Sequence, residues 1–380
     1  AEVPADADLG DYPMPHAGTV VLDGAFSGYS ALAETNLTAD PPDFGRMVLN
    51  DKGDPVWAAN TLPFLLFIPD PEQVESGNGY PIVILQHGLG GHKGHVKSQV
   101  DRFLAAGYAV AAIDIVLHGD LVAEGGEDSA GFLSADAAAT RDHIVQASLN
   151  LVQLAAMLSD KGPSGLMSGL DGYTADLNLL DTDEIYFVGH SLGALVGVPA
   201  VAVSKDIDAA VFVATGGNLT RVLAETPDEA FKEPIVTALA AMGYEEGTPA
   251  YDQFLETAQM LLDRGDPIHY ARHLSAMPLD GHDPKPIFML RAKDDTLFPE
   301  GTTLELACAA RNGGTTPLYK EYAPDCHGFF FNPCGDDAAL GDAAVEAAED
   351  AIQFFDTLYS PDGIQVDDST PGKDLPCEGL

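Results

Sequence analysis

The sequence predicts an α/β protein: a mostly parallel central sheet flanked by helices, with a helical insertion and an N-terminal β-rich segment. Three observations lead there. From residue 80 onward, short apolar runs rich in Val, Ile and Phe alternate with longer stretches of helical periodicity. One of these runs, Glu184-Ile185-Tyr186-Phe187-Val188, passes directly into Gly189-His190-Ser191-Leu192-Gly193 and then into small and apolar residues, 194–203. Strand, sharp turn and helix in that order make G-x-S-x-G more than a pattern match. Finally, residues 218–283 have helical patterning and no strand-like run. Crossovers are far shorter as a rule, so this stretch reads as a helical cap that leaves the sheet and returns, with crossover helices on long loops as the alternative.

Taken in order, residues 1–18 are rich in Asp, Pro and Ala and read as an extended lead-in. Residues 19–22 and 46–49 are short β-like pieces between Gly, Pro and Asp turns, and 62–68 is a further strand. Residues 82–85, 108–113, 185–188, 209–213, 287–291 and 318–322 read as the strands of the α/β part. Residues 97–106, 136–158, 192–203, 302–310 and 343–358 read as its helices, and 230–242 and 251–262 as the clearest helices of the insertion. The expected organisation is a β-rich segment at 1–70 joined to the core, a core of 71–217 and 284–360, a helical cap or lid at 218–283, and an irregular tail at 361–380.

Apolar residues make up 46% of the 380, enough for a sizeable core. No stretch approaches the ~20 apolar residues that a membrane-spanning helix needs. Acidic residues number 59 against 18 basic ones, a formal charge of −41. Nucleic acid and anionic membrane surfaces are poor partners for such a surface. The charge reads either as a solvation coat for salty surroundings or as calcium-binding carboxylate, although no D-x-D-x-D-G loop is present. The sequence opens Ala1-Glu2-Val3-Pro4, consistent with an exported chain after signal removal or with a trimmed one. It leaves the oligomeric state open.

The chemistry begins at Ser191. A serine at such a turn needs small neighbours two positions away on each side, and Gly189 and Gly193 supply them. A serine hydroxyl is a weak nucleophile at neutral pH, and requires a base and a carboxylate to orient that base. Candidates follow two later strands: Asp294-Asp295-Thr296-Leu297-Phe298-Pro299, and Asp325-Cys326-His327-Gly328. The order Ser, Asp, His is the one expected on an α/β-hydrolase sheet.

On these motifs the sequence resembles the α/β-hydrolase superfamily, and within it bacterial secreted esterases and lipases, over roughly residues 81–358. Gly189 to Gly193 match its nucleophile elbow. His87-Gly88-Leu89-Gly90-Gly91 after a strand matches its oxyanion loop, and Asp114 with His118-Gly119 resembles the following strand end. The resemblance implies that the acid precedes a proline by four positions, which selects Asp295 before Pro299, with Asp294 as its rival; Ala292 stands where the family often has Gly. It further implies Ser191 as nucleophile, His327 as base, the N–H groups of Leu89 and Leu192 as oxyanion donors, and no catalytic cofactor. The expected activity is hydrolysis of small-molecule or lipid-like carboxylic esters. A peptidase or amidase, a polyester-degrading hydrolase, and a non-catalytic binding protein on the same fold are the alternatives.

Other residues have plainer readings. His87 reads as a tie for the oxyanion loop, His118 and Asp120 as loop caps at the rim, and His143 as a surface or packing residue. His92 and His95 lack a carboxylate or Cys at ligand spacing, which counts against a metal site. Phe329, Phe330 and Phe331 read equally as pocket lining or packing. Tyr244, Tyr251, Met260 and Leu261 in the cap face either substrate or the core, and helical spacing favours the core. The four cysteines all lie in the last quarter, without a C-x-x-C pair. Cys326 and Cys334 bracket the His327 loop. Cys308 lies on a helix running away from the catalytic edge, towards the side where the tail with Cys377 begins. An even count in an exported chain reads as two disulfides with three possible connectivities, of which Cys326–Cys334 with Cys308–Cys377 is favoured.

Overall fold

A computed structural model of the chain describes residues 19–39, 43–70, 79–122, 126–162, 165–166, 179–314, 316–323, 326–332 and 340–378. The strands are β1 (Val20–Ser30), β2 (Ala58–Ile68), β3 (Tyr80–Gln86), β4 (Ala109–Ile113), β5 (Leu180–His190), β6 (Ala209–Val213), β7 (Ile287–Ala292), β8 (Leu318–Tyr322) and β9 (Thr370–Pro371). They form one sheet in the order β1-β2-β4-β3-β5-β6-β7-β8-β9. From β4 through β8 every pairing is parallel, while β1, β2 and β9 pair antiparallel at the two edges.

The helices of the core are α1 (Lys97–Ala105), α2 (Ala137–Ser159) and α3 (Leu192–Val203), followed after the insertion by α8 (Glu300–Ala310) and α9 (Asp342–Asp356). Side chains alternate across the strands, so each parallel strand must bury two apolar faces. Ile82 and Ile84 of β3 join the core that holds residues of α2, α3 and α8. Val83 and Leu85 join the opposite core with residues of α1 and α9. Burial on both faces is why these strands read as continuous apolar runs. The long helix α2 starts where Asp136 accepts hydrogen bonds from the N–H groups of Ala138 and Ala139.

The insertion folds as α4 (Leu219–Glu225), α5 (Glu229–Ala241), α6 (Pro249–Leu262) and α7 (Ile268–Leu274), and no described residue between β6 and β7 lies in a strand. Its base is tied by Asp266, a fully buried carboxylate. Asp266 accepts from the N–H groups of Asn218, Leu219 and Ile268 at 2.8–3.0 Å and from Gln259 Nε2 at 2.8 Å.

Two short pieces differ from the sequence reading. Residues 46–49 form only isolated bridges, Leu32 to Met47 and Leu49 to Pro55, outside the sheet. Val48 and Leu49 stay exposed there, so apolar content without a sheet neighbour did not make a strand. The tail is not wholly irregular: β9 pairs with β8, and Cys377 is joined to Cys308 on α8 with Cα atoms 5.7 Å apart. Cys326 is also disulfide-bonded; the expected pairing with Cys334 lies outside the described residues. The Cys308–Cys377 bridge closes a loop of 69 residues' separation. In a chain-entropy treatment a loop of that length stabilises by about 4 kcal/mol. Cys308→Ala/Cys377→Ala is accordingly expected to lower the urea midpoint and to steepen the slope, because the unfolded chain expands without its cross-link; an unchanged midpoint would contradict this.

Candidate active site

The site lies where the strand order reverses. From β3 the chain crosses to β4 on one side, then returns to β5 on the other. Ligands of open α/β sheets bind outside the carboxyl ends of the strands at such a reversal. The loops after β3 and β5 are therefore neighbours, with Gln86 paired to Gly189 at their root.

Ser191 joins β5 to α3 with φ 54° and ψ −120°. A non-glycine residue held there stores roughly 1–3 kcal/mol, sustained only by firm surroundings. Its N–H donates to the carbonyl of Val213, and its carbonyl accepts from Leu195 N–H, both at 2.9 Å. A Cβ on Gly189 would come within 2.7 Å of the Gly193 and Ala194 backbone. One on Gly193 would come within 2.4 Å of the His87 carbonyl oxygen. These two close approaches are why the turn admits only glycine on either side. Ser191 makes no side-chain cap bond to α3, which leaves its hydroxyl for another partner.

That partner is His327, with Nε2 2.7 Å from Ser191 Oγ. On the other side of the ring, Nδ1 lies 2.9 Å from Asp295 Oδ2 and 3.0 Å from Oδ1. An ionised carboxylate only accepts, so Nδ1 carries the proton and the Nε2 lone pair faces the serine hydroxyl. Asp295 Oδ1 also accepts from Leu297 and Phe298 N–H at 2.8 and 3.0 Å. Burial by itself would raise the Asp295 carboxyl; the bond and charge of His327, with those two N–H groups, outweigh it and hold the group below its ordinary value. Asp294, one residue earlier, is exposed with φ 60°. The register acid-x-apolar-apolar-Pro thus has a physical meaning here: the apolar pair supplies the N–H groups that seat the carboxylate.

His87 is buried, which drives its pKa well down. Its Nδ1–H donates to the Gly88 carbonyl at 2.8 Å, and its Nε2 accepts from Ile115 N–H at 3.0 Å. Gly91 N–H donates to the same Gly88 oxygen at 3.1 Å. A trans peptide points its C=O and the next N–H in opposite directions, so fixing that carbonyl fixes the direction of Leu89 N–H. Gly88 lies against Ser191: a Cβ there would be 3.1 Å from Ser191 Cβ. Beyond the glycines, buried Lys93 pairs with Asp114 at 3.0 Å and with Asp120, anchoring the loop to the end of β4.

The remaining candidates sort by contact. The rings of His92 and His95 lie 4.1 Å apart, and His92 Nδ1 accepts from Gly94 N–H. His118 and His143 are buried, facing the carbonyls of Val116 and of Phe132 and Phe44. The three phenylalanines divide: Phe329 and Phe330 pack in the core, whereas Phe331 also lines the cavity at Ser191. Tyr251 is buried, but Met260 and Leu261, read as core, are exposed at 76% and 44%. On α6 the inward face runs through residues 251, 255, 258 and 262, a helical spacing that turns 260 and 261 outward.

A cavity of about 360 Å³ opens over Ser191, His327, Leu89 and Leu192. Much of its wall comes from the insertion: Leu219, Val222 and Leu223 of α4, Phe231, Ile235 and Leu239 of α5, and Phe254, Leu255, Ala258 and Leu262 of α6. Across from them stand Leu133, Leu195, Leu297, Phe298 and Phe331. None of the described residues lining it is Asp, Glu, Lys or Arg, in a chain with a formal charge of −41.

No protein-family model and no curated protein matches the chain. Solved structures do. The chain is similar to an esterase of Pyrobaculum calidifontis (15% identity, TM-score 0.50), over 79% of this chain and 82% of that one. It is similar also to an acetyl xylan esterase from Paenibacillus sp. R4 (13% identity, TM-score 0.50), over 86% and 83%. A puromycin-hydrolyzing peptidase of Mycobacterium tuberculosis aligns at 15% identity and TM-score 0.49 over 78% of this chain, which spans 37% of that longer one. The chain has the α/β-hydrolase fold.

Proposed function

We propose that the protein is a serine hydrolase that cleaves apolar carboxylic esters by acyl transfer. The observation behind this reading is the Ser191–His327–Asp295 relay, with links of 2.7 and 2.9 Å, at the head of an uncharged apolar cavity. In this reading Ser191 Oγ attacks the ester carbonyl carbon while its proton passes to His327 Nε2. The bond to the alkoxy oxygen then breaks as His327 gives that proton to the departing alcohol. Water attacks the acyl-serine, again through His327, and the freed acid leaves Ser191 with its hydroxyl restored. Asp295 holds the tautomer and the charged imidazole, and the N–H groups of Leu89 and Leu192 receive the oxyanion; one such donor is worth about 100- to 1,000-fold in rate.

Residues 218–283 act in this proposal as a cap whose apolar helix faces receive the acyl or alkyl chain. The Cys308–Cys377 bridge favours work in an oxidising compartment outside the cytosol. No helix among the described residues is long and apolar enough to cross a membrane. A p-nitrophenyl ester series from acetate to palmitate tests the substrate class. Burying one methylene is worth about 0.8 kcal/mol, or roughly fourfold in kcat/KM. We expect kcat/KM to rise with acyl length until the cavity is filled; activity confined to acetate would overturn the apolar-chain assignment.

A further inference from the structure

We propose that His190, the variable residue of the elbow, is a positioning residue that locks the backbone of the base to the backbone of the nucleophile. The inference rests on the assignment of Ser191 and His327 above. The His190 ring is buried, and its Nε2 lies 2.8 Å from the carbonyl oxygen of His327. A carbonyl only accepts, so Nε2 carries the proton and donates it. Burial, followed by the charge of His327, pushes the His190 pKa down to about 3, so the ring stays neutral with a single N–H, and that N–H is committed to this bond. The ring cannot slide away. Phe331 meets it edge-on with centroids 5.8 Å apart, and a Cβ on Gly88 would come within 3.3 Å of its Nδ1.

The consequence is a closed loop of constraints. Ser191 follows His190 in the chain, His190 holds the His327 carbonyl, and the His327 side chain returns to Ser191 Oγ. Asp295 fixes the rotation of the imidazole but not the position of the backbone that bears it. His190 supplies that second coordinate, across 137 residues of sequence. A displacement of about 1 Å between reacting groups can lower a rate about 100-fold. His190 also lines the cavity, so losing this bond while a side chain of similar size fills its place should lower kcat and change KM less.

The test compares two amides of different reach with an apolar ring. Glutamine places an N–H near the imidazole Nε2 position; asparagine places it near Nδ1, too short for the His327 carbonyl. In His190→Asn and His190→Phe we expect kcat on a p-nitrophenyl ester to fall about 10- to 100-fold with a smaller change in KM, and His190→Gln to recover most of it. Circular dichroism and thermal melts identify the folded variants, and the Gln–Asn pair gives the answer if phenylalanine does not fold. A packing role alone would leave kcat of folded protein unchanged, or lower it as much in Gln as in Asn; either result overturns the proposal. Ser191→Ala, run alongside, separates the two levels. If it retains wild-type turnover, the assignment of the nucleophile fails and this inference with it. If it is inactive while His190→Phe keeps full kcat, only the His190 inference fails.

Discussion

Ser191→Ala is expected to lower kcat for ester hydrolysis by about 10⁶-fold, leaving only what cavity binding and oxyanion donors provide over water. The size follows from the chemistry. With Oγ gone there is no acyl acceptor, and His327 Nε2 loses the hydroxyl that lies 2.7 Å away. The fold should persist, because Ser191 makes its structural bonds through its backbone, to Val213 and Leu195. Thermal melting of the variant near the wild-type temperature would agree, since only Oγ is removed while the Cβ and the backbone bonds to Val213 and Leu195 stay. A variant that melts like wild type and still hydrolyses esters at more than a hundredth of the wild-type rate would place the nucleophile elsewhere.

The second large effect separates two adjacent carboxylates. Asp295→Asn keeps the shape but turns an acceptor-only group into one with donors, which favours the wrong imidazole tautomer; the expected loss in kcat is about 10⁴-fold. Asp294→Asn should stay within about threefold of wild type, because uncoupled surface substitutions usually shift energies by no more than ±0.5 kcal/mol. Paired kcat measurements at constant pH decide between them, and comparable losses in the two variants would contradict the assignment. The result matters for reading other chains, because composition does not distinguish Asp294 from Asp295. What differs is local: Asp295 is followed at the right distance by the N–H groups of Leu297 and Phe298, while Asp294 sits at positive φ with its side chain exposed.

The parts of this molecule that were legible in sequence are those where backbone geometry restricts residue choice. The elbow is one, because Gly189 and Gly193 each stand where a Cβ would strike backbone. The parallel strands are another, because burial on both faces demands unbroken apolar runs such as 209–213. Distant partners were legible only where a motif or the residue type announces them, as for Ser191, Asp295 and His327 or for Cys308 and Cys377; others were not. The His190 ring reaches the His327 carbonyl, yet G-x-S-x-G places no demand on its second residue. The insertion was visible as helix, with α5 and α6 close to their expected bounds. The short helices α4 and α7 were not, since seven residues carry too little periodicity. Nor did the pattern tell that the apolar faces of α4, α5 and α6 turn towards a cavity. In sequence, an apolar stripe that lines a substrate site is identical to one that packs a core; Phe331 and Phe330, adjacent residues with different surroundings, show the same ambiguity.

The contrast between surface and cavity also gains a meaning. A formal charge of −41 keeps the exterior strongly solvated, whereas the described lining of the cavity contains no Asp, Glu, Lys or Arg. An uncharged apolar ester would leave one environment for the other without desolvating a charge, and a charged substrate would meet an uncompensated desolvation penalty.

If Ser191 is the group that becomes acylated, a mechanism-based phosphonylating reagent should find it first. Folded protein is treated with a fluorophosphonate, digested, and mapped by mass spectrometry. A single stoichiometric adduct is expected on the peptide containing Ser191, formed in step with the loss of esterase activity and strongly slowed in His327→Ala. An adduct on another residue, or full loss of esterase activity with Ser191 unlabelled, would contradict it.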